Sequence, residues 1–140
     1  MTRDQIVDLF DRRMKAINDH DVEAFADLFA EDAVVESPLG GTHQGRVAIA
    51  AVAGAFVGAL SDATFTEDAL IIDGDHVVQV ITVSGTDTGG LMGMAPSGRT
   101  AQLPIVVVCQ LANGLITHER RIYDFTGMLV QIGVLKAKPA

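Results

Sequence analysis

The chain changes its hydrophobic period once, near Ser61-Asp62, and that switch limits the folds open to it. Before it, Ile6, Leu9, Phe10, Met14 and Ile17 recur at three- and four-residue steps and predict a helix from Thr2 to about Asn18. Asn18-Asp19-His20-Asp21 supplies turn and cap chemistry, and Val22, Phe25, Ala26, Leu28 and Phe29 continue as a shorter second helix, so the two should form a hairpin. After the switch, apolar and β-branched runs over 64–72, 76–84, 99–111 and 115–125 read as strands. Asp73-Gly74-Asp75, the stretch 85–98 and Asn113-Gly114 separate them, the last being a strong hairpin signal. Helices first and strands after predict an α+β domain with an antiparallel sheet that carries its helices on one face.

Between the two regimes, Ala33 to Glu36 reads as a short strand closed by a turn at Ser37-Pro38 and Gly40-Gly41. A third helix follows from Arg46 to Leu60, rich in Ala and Gly for close packing and weakened by Gly54 and Gly58. With 140 residues, no linker and no internal repeat, residues 1–140 are expected to form one domain. A composition of 49% hydrophobic and 20% charged residues predicts a folded core from end to end.

A formal charge of −8 repels a phosphate backbone, and the Lys and Arg residues are scattered apart from Arg12-Arg13 and Arg120-Arg121, so nucleic acid is not an expected partner. No apolar run reaches the length of a membrane span and the start is a charged amphipathic segment, which makes a cytoplasmic location the default expectation and a membrane partner unexpected. The only cysteine, Cys109, has no His or Lys beside it in sequence and reads as a buried hydrophobe. His20, His43, His76 and His118 form no ligand spacing, so no metal is expected; the first three fall in turns. The glycine-rich stretches 40–46 and 85–90 lack the P-loop Lys, and no Gly-x-Ser-x-Gly elbow is present.

One carboxylate, Asp124, ends a strand-like stretch of largely apolar character. An acid among apolar side chains loses solvation of its charged form, and its pKa moves toward the range of a proton shuttle. Strict alternation groups Ile116, His118, Arg120, Ile122 and Asp124 on one face, against Thr117, Glu119, Arg121, Tyr123 and Phe125 on the other. Asp124 then points into a cavity with Ile122 beside it and His118 or Arg120 as companions, unless a bulge swaps the faces. From spacing alone, a carboxylate capping a helical turn over 126–135 is an equal alternative. Met92, Met94 and Met128, with Phe10, Met14, Phe29 and Phe56, are candidates for an apolar pocket lining, core filling being the commoner role of such residues.

In order along the chain, Asn18-Asp-His-Asp21, Phe29-Ala-Glu-Asp-Ala-Val34, Gly45-Arg46, Gly85-Thr-Asp-Thr-Gly89, Met92-Gly-Met-Ala-Pro-Ser-Gly-Arg99, and Tyr123-Asp124 with Gln131-Ile-Gly133 resemble the SnoaL-like polyketide cyclases of the nuclear-transport-factor-2-like superfamily. The resemblance covers nearly the whole chain. It implies a cone-shaped α+β barrel, with three N-terminal helices packed on a strongly curved, mostly antiparallel sheet whose open end admits an apolar ligand. It also implies an intramolecular aldol ring closure on an apolar carbonyl substrate without metal or organic cofactor, with Asp124 as general acid/base, and a homodimer formed through the sheet. The run Ile105 to Leu111, apolar on both faces, agrees with a covered outer face.

The chain departs from the family pattern in two places: Asp87 stands where many relatives carry His, and Val80 where they carry Arg. Two cousins of the fold fit less well. Ketosteroid isomerase positions hold Arg13, Ser37 and Val106, and the strand 80–83 lacks the Arg and Asp of a limonene-type epoxide hydrolase. Two functions follow from the resemblance: a small cyclase or isomerase-like enzyme working through Asp124, or a ligand-binding module of the same fold, toward which the missing Arg and His move the balance.

Overall fold

A computed structural model describes residues 1–136. Helix α1 (Arg3–Asn18) begins at a capping box: Thr2 Oγ1 accepts from the Gln5 N–H, and the Gln5 side chain accepts from the Thr2 N–H. Asp21 caps the short α2 (Val22–Ala26). Two strands follow, β1 (Phe29–Ser37) and β2 (Gly41–Gln44), then α3 (Arg46–Ala59). The rest is β3 (Thr64–Asp73), β4 (His76–Thr86), a 3-10 turn (Leu91–Gly93), β5 (Thr100–Ala112), β6 (Leu115–Ile122) and α4 (Phe125–Gln131).

The six strands form one sheet in the order β2-β1-β6-β5-β4-β3, antiparallel throughout except where β1 runs parallel to β6. The sheet curls without closing, leaving β2 and β3 as its edges. Its inner face brings Val77, Ile81, Val107, Cys109, Leu111 and Ile116 against Ile6, Leu9 and Phe10 of α1 and Ile49, Ala53 and Val57 of α3, in one core. A second cluster gathers Val83, Leu91, Ala101 and Leu103 with Met128 and Ile132 from the α4 region. The α+β class, the hairpin turn at Asn113 (φ 52) and Gly114 (φ 79), and the four long strands match the sequence reading.

Three elements differ from it: the last strand stops at Ile122 instead of running to 125, and Phe125 opens α4. The second helix stops at Ala26, because Leu28 and Phe29 serve the sheet: Phe29 pairs with Ile116 and is fully buried. The segment after Ser37-Pro38 is a hairpin with a strand of its own, β2, whose residues pair with β1 from Val34 to Ser37. His43 therefore sits in a strand, where a turn was expected.

Candidate functional site

The mouth of the curled sheet holds an apolar cavity of about 280 Å³. Phe56 and Val52 of α3, Ile17 of α1, Phe25 of α2 and the inward residues Ile81, Leu103, Ile105 and Val107 give it greasy walls. Five polar side chains interrupt them: Arg13, Ser37, His43, Arg121 and Tyr123. Ser37 Oγ and the Tyr123 hydroxyl lie 3.2 Å apart, and His43 Nε2 stands 3.4 Å from the Leu39 carbonyl. A wider depression of about 620 Å³ beside Asp4, Asp8, Arg12 and Gly114 is open to solvent and has no apolar enclosure.

A polar network runs through one wall. Arg13 Nε donates to Gln79 Oε1 at 3.1 Å and its Nη1 to Glu119 Oε1 at 2.5 Å, while Arg121 Nε donates to Glu119 Oε2 at 2.6 Å. Arg13 is 4% exposed, and Gln79 and Glu119 are wholly buried. Burial alone would push the Glu119 carboxyl up; the Arg13 charge, then the Arg121 charge and the hydrogen bonds from both, outweigh it and hold the group at about 2. The Cys109 thiol, 3.5 Å from Glu119, is pushed up by burial and by that carboxylate, and stays neutral. The Arg13 guanidinium also rests on Phe25, 4.9 Å from the ring centroid.

The strand alternation expected for β6 is broken by a bulge. Leu111 pairs with Ile116 but Gln110 with His118, so Thr117 is the extra residue and the faces exchange beyond it. Ile116, Glu119 and Arg121 consequently turn inward, and His118, Arg120 and Ile122 outward. His118 meets Glu36 at 2.8 Å on the outer side, and Ile122 is 49% exposed.

Asp124 does not line the cavity: it is exposed, caps α4, and accepts from the Gly127 N–H at 2.8 Å. Gly127 permits this, since a Cβ there would stand 2.2 Å from Asp124 Oδ2. Of the proposed lining residues, Phe56 and Met92 reach the cavity. Phe10 and Phe29 are buried in the core, Met14 packs half-buried against it, and Met128 and Met94 belong to the second cluster.

The two departures from the family pattern have structural counterparts. Asp87 is 2% exposed and accepts from the Gly90 N–H at 3.1 Å and the Ser97 N–H at 2.9 Å; the Ser97 bond above all holds its carboxyl below the usual range. It staples the loop that carries Leu91 and Met92 over the cavity mouth. Val80 lies on the outer face against Val106, away from the cavity. Among the described residues no group of three His, Cys, Asp or Glu side chains is placed to hold a metal ion, and no helix is long and apolar enough to cross a membrane.

A family model for SnoaL-like polyketide cyclases matches residues 8–132. The chain belongs to the SnoaL-like polyketide cyclase family. Solved structures share its fold. TsrD from Streptomyces laurentii superposes with a TM-score of 0.86 at 22% identity, covering 96% of this chain and 99% of that one. IdmH from Streptomyces antibioticus, named a candidate polyketide cyclase, gives 0.76 at 26% identity over 91% and 97%. TerC, co-crystallised with polyporic acid, gives 0.75 at 20% identity over 91% and 98%. A comparison with the curated proteins found no sequence match.

The signals for this SnoaL-like site were uneven. Arg13 falls on the apolar stripe of α1, three residues after Phe10 and four before Ile17, and that spacing marks it as inward. Glu119 and Arg121 were hidden by the bulge, and His43 by the shortness of β2.

Proposed function

We propose that this SnoaL-like chain binds an apolar carbonyl compound in the 280 Å³ cavity and catalyses proton transfer on it, of the kind that closes a ring by intramolecular aldol addition. The observation that carries this reading is that His43, Tyr123 and Ser37 line one cavity whose walls, Arg13 and Arg121 apart, are apolar. His43 borders the cavity, and with Nε2 donating to the Leu39 carbonyl its Nδ1 is the nitrogen left to take a proton from a carbon beside a carbonyl. The Tyr123 hydroxyl, polarised by Ser37, is placed to donate to the oxygen that gains charge. The dry wall supplies orientation, and the chemistry asks for no cofactor.

The test is the conversion of aromatic polyketide esters in deuterated buffer, followed by chromatography for a ring-closed isomer of the same elemental composition and by deuterium exchange at the acidic carbon. Wild type should outpace buffer, with His43→Ala and Tyr123→Phe each about 10²-fold slower, the usual scale of a general acid or base. Conversion no faster than buffer, with the ester still bound, rejects the enzymatic reading.

A second reading, a ligand-binding module without turnover, is favoured by one observation. The carboxylate that joins the two cavity-lining arginines, Glu119, is held at about 2 and is too weak a base for carbon acids. TerC, with polyporic acid in its co-crystal, supports small-molecule binding under either reading. We further infer a homodimer through the outer sheet face. A cytoplasmic setting suits the free thiol of Cys109.

A further inference from the structure

The charge of the ligand follows from the cavity wall, on the reading that this cavity is the ligand site. Arg13 and Arg121 both border it and both lean on one carboxylate, Glu119, so the wall keeps a surplus of one positive charge. No other acid among the described residues lines the cavity. Gln79 hands its amide on to Glu67 at 2.9 Å, but that carboxylate is in solvent, and the Cys109 thiol is neutral.

The two guanidinium groups also hold donors in reserve. Each carries five N–H groups. Arg13 spends its Nε on Gln79 and one N–H of Nη1 on Glu119, and Arg121 spends its Nε on Glu119. No other acceptor among the described residues engages either side chain, yet no fully buried side-chain nitrogen or oxygen lacks a partner. The nitrogens with no bond at all, Arg13 Nη2 and both Nη atoms of Arg121, are therefore not fully buried, and the cavity is space that both residues border. An uncompensated cation in an apolar enclosure is costly, and an anion delivered by the ligand relieves that cost.

We propose that the cavity selects a ligand with an apolar body and one anionic oxygen head, a carboxylate or an enolate, seated on Arg121 and Arg13. The apolar body lies along Phe25, Phe56 and Ile105, and the guanidinium fork reads the head through charge-assisted hydrogen bonds. For a carbonyl substrate the same seat holds the enolate oxygen once the proton has left.

Calorimetric titration near neutral pH with three probes decides it: 2-naphthoate, its neutral counterpart 2-naphthamide, and 5-phenylcyclohexane-1,3-dione as a stable enolate. At least one anion should bind about tenfold or more tightly than the amide, and whichever anion binds better names the head group. Arg121→Gln removes the surplus charge and should bring the ratio of anion to amide affinity toward one, whereas Arg121→Lys should keep a preference for the anion. Equal binding of anions and amide by wild type, or an undiminished ratio in Arg121→Gln, overturns the proposal and leaves the apolar site standing. Binding of none of the three overturns the ligand-site reading as well. The wild-type ratio decides the matter even if Arg121→Gln does not fold.

Discussion

Replacing Glu119 by Gln takes the carboxylate from between two guanidinium groups and leaves both charges in the cavity wall without an acid between them. Breaking a buried pair at one partner costs about 3–5 kcal/mol, and urea denaturation of E119Q should show a loss of that order. The pH dependence has a definite sign. The folded pKa of about 2 lies below the ordinary 4.5, so the contribution is complete above 4.5 and is lost as pH falls toward 2. That linkage amounts to roughly 3 kcal/mol, and wild-type stability should fall more steeply across this window than that of E119Q.

Asp124 gives the opposite expectation. Asn caps as well as Asp, whereas Ala costs about 1 kcal/mol at an N-cap, so Asp124→Asn should melt and bind 2-naphthoate like the parent while Asp124→Ala melts lower. Loss of turnover in Asp124→Asn at unchanged melting temperature would restore the acid/base role that the family resemblance implies. Asp124 and Arg13 mark the limit of reading residues from sequence. Arg13 lies at helical spacing on the stripe of α1, but its charge kept it out of the apolar pattern that was read there. For Asp124 the spacing left a cap and a cavity-facing acid equally open and the acid/base role came from the resemblance; one extra residue, Thr117, turns the strand's faces over before it.

Among the elements, the loop between β4 and β5 is the most exacting in its backbone. Thr88 and Gly89 donate to the Ala59 carbonyl at the end of α3, and a Cβ on Gly89 would come within 2.2 Å of the Gly58 carbonyl oxygen. Backbone cannot yield there, so Gly89→Ala should cost about 1–3 kcal/mol and, by lifting Met92 from the cavity mouth, weaken 2-naphthoate. Gly93→Ala is the control: its φ of +75 is strained for Ala, but nothing lies within 4 Å of the added carbon. It should lower the melting temperature without the same loss of affinity. The sequence marked this stretch as glycine-rich and as a segment of the family resemblance, but not as a contact with α3, because a close approach between distant backbones leaves no local pattern. The long strands and α1 were legible through their periods; β2, only four residues long, was too short to show one.

At the scale of the whole molecule, one face of the sheet has no helix against it among the described residues. The helices cover the inner face, and the outer rows run Ala69, Val80, Val106, Ile122 and Ile71, Val78, Val108, Arg120 across four strands. Ile71 is 58% and Ile122 49% exposed, and the central valines are half-buried. A stable pairing buries on the order of 1,000 Å² or more, and a four-strand apolar face is a surface of suitable kind. Light scattering on a gel-filtration peak should give twice the 14.8 kDa of the chain. Val106→Glu, at the centre of the face, should give the single mass with an unchanged circular dichroism spectrum. Salt supplies an independent check. Each copy carries a formal charge of −8, so two copies repel, and screening should tighten an apolar interface but loosen one held by ion pairs. Dissociation that diminishes as salt rises is the expected result, and a single mass at every concentration and salt level removes the dimer.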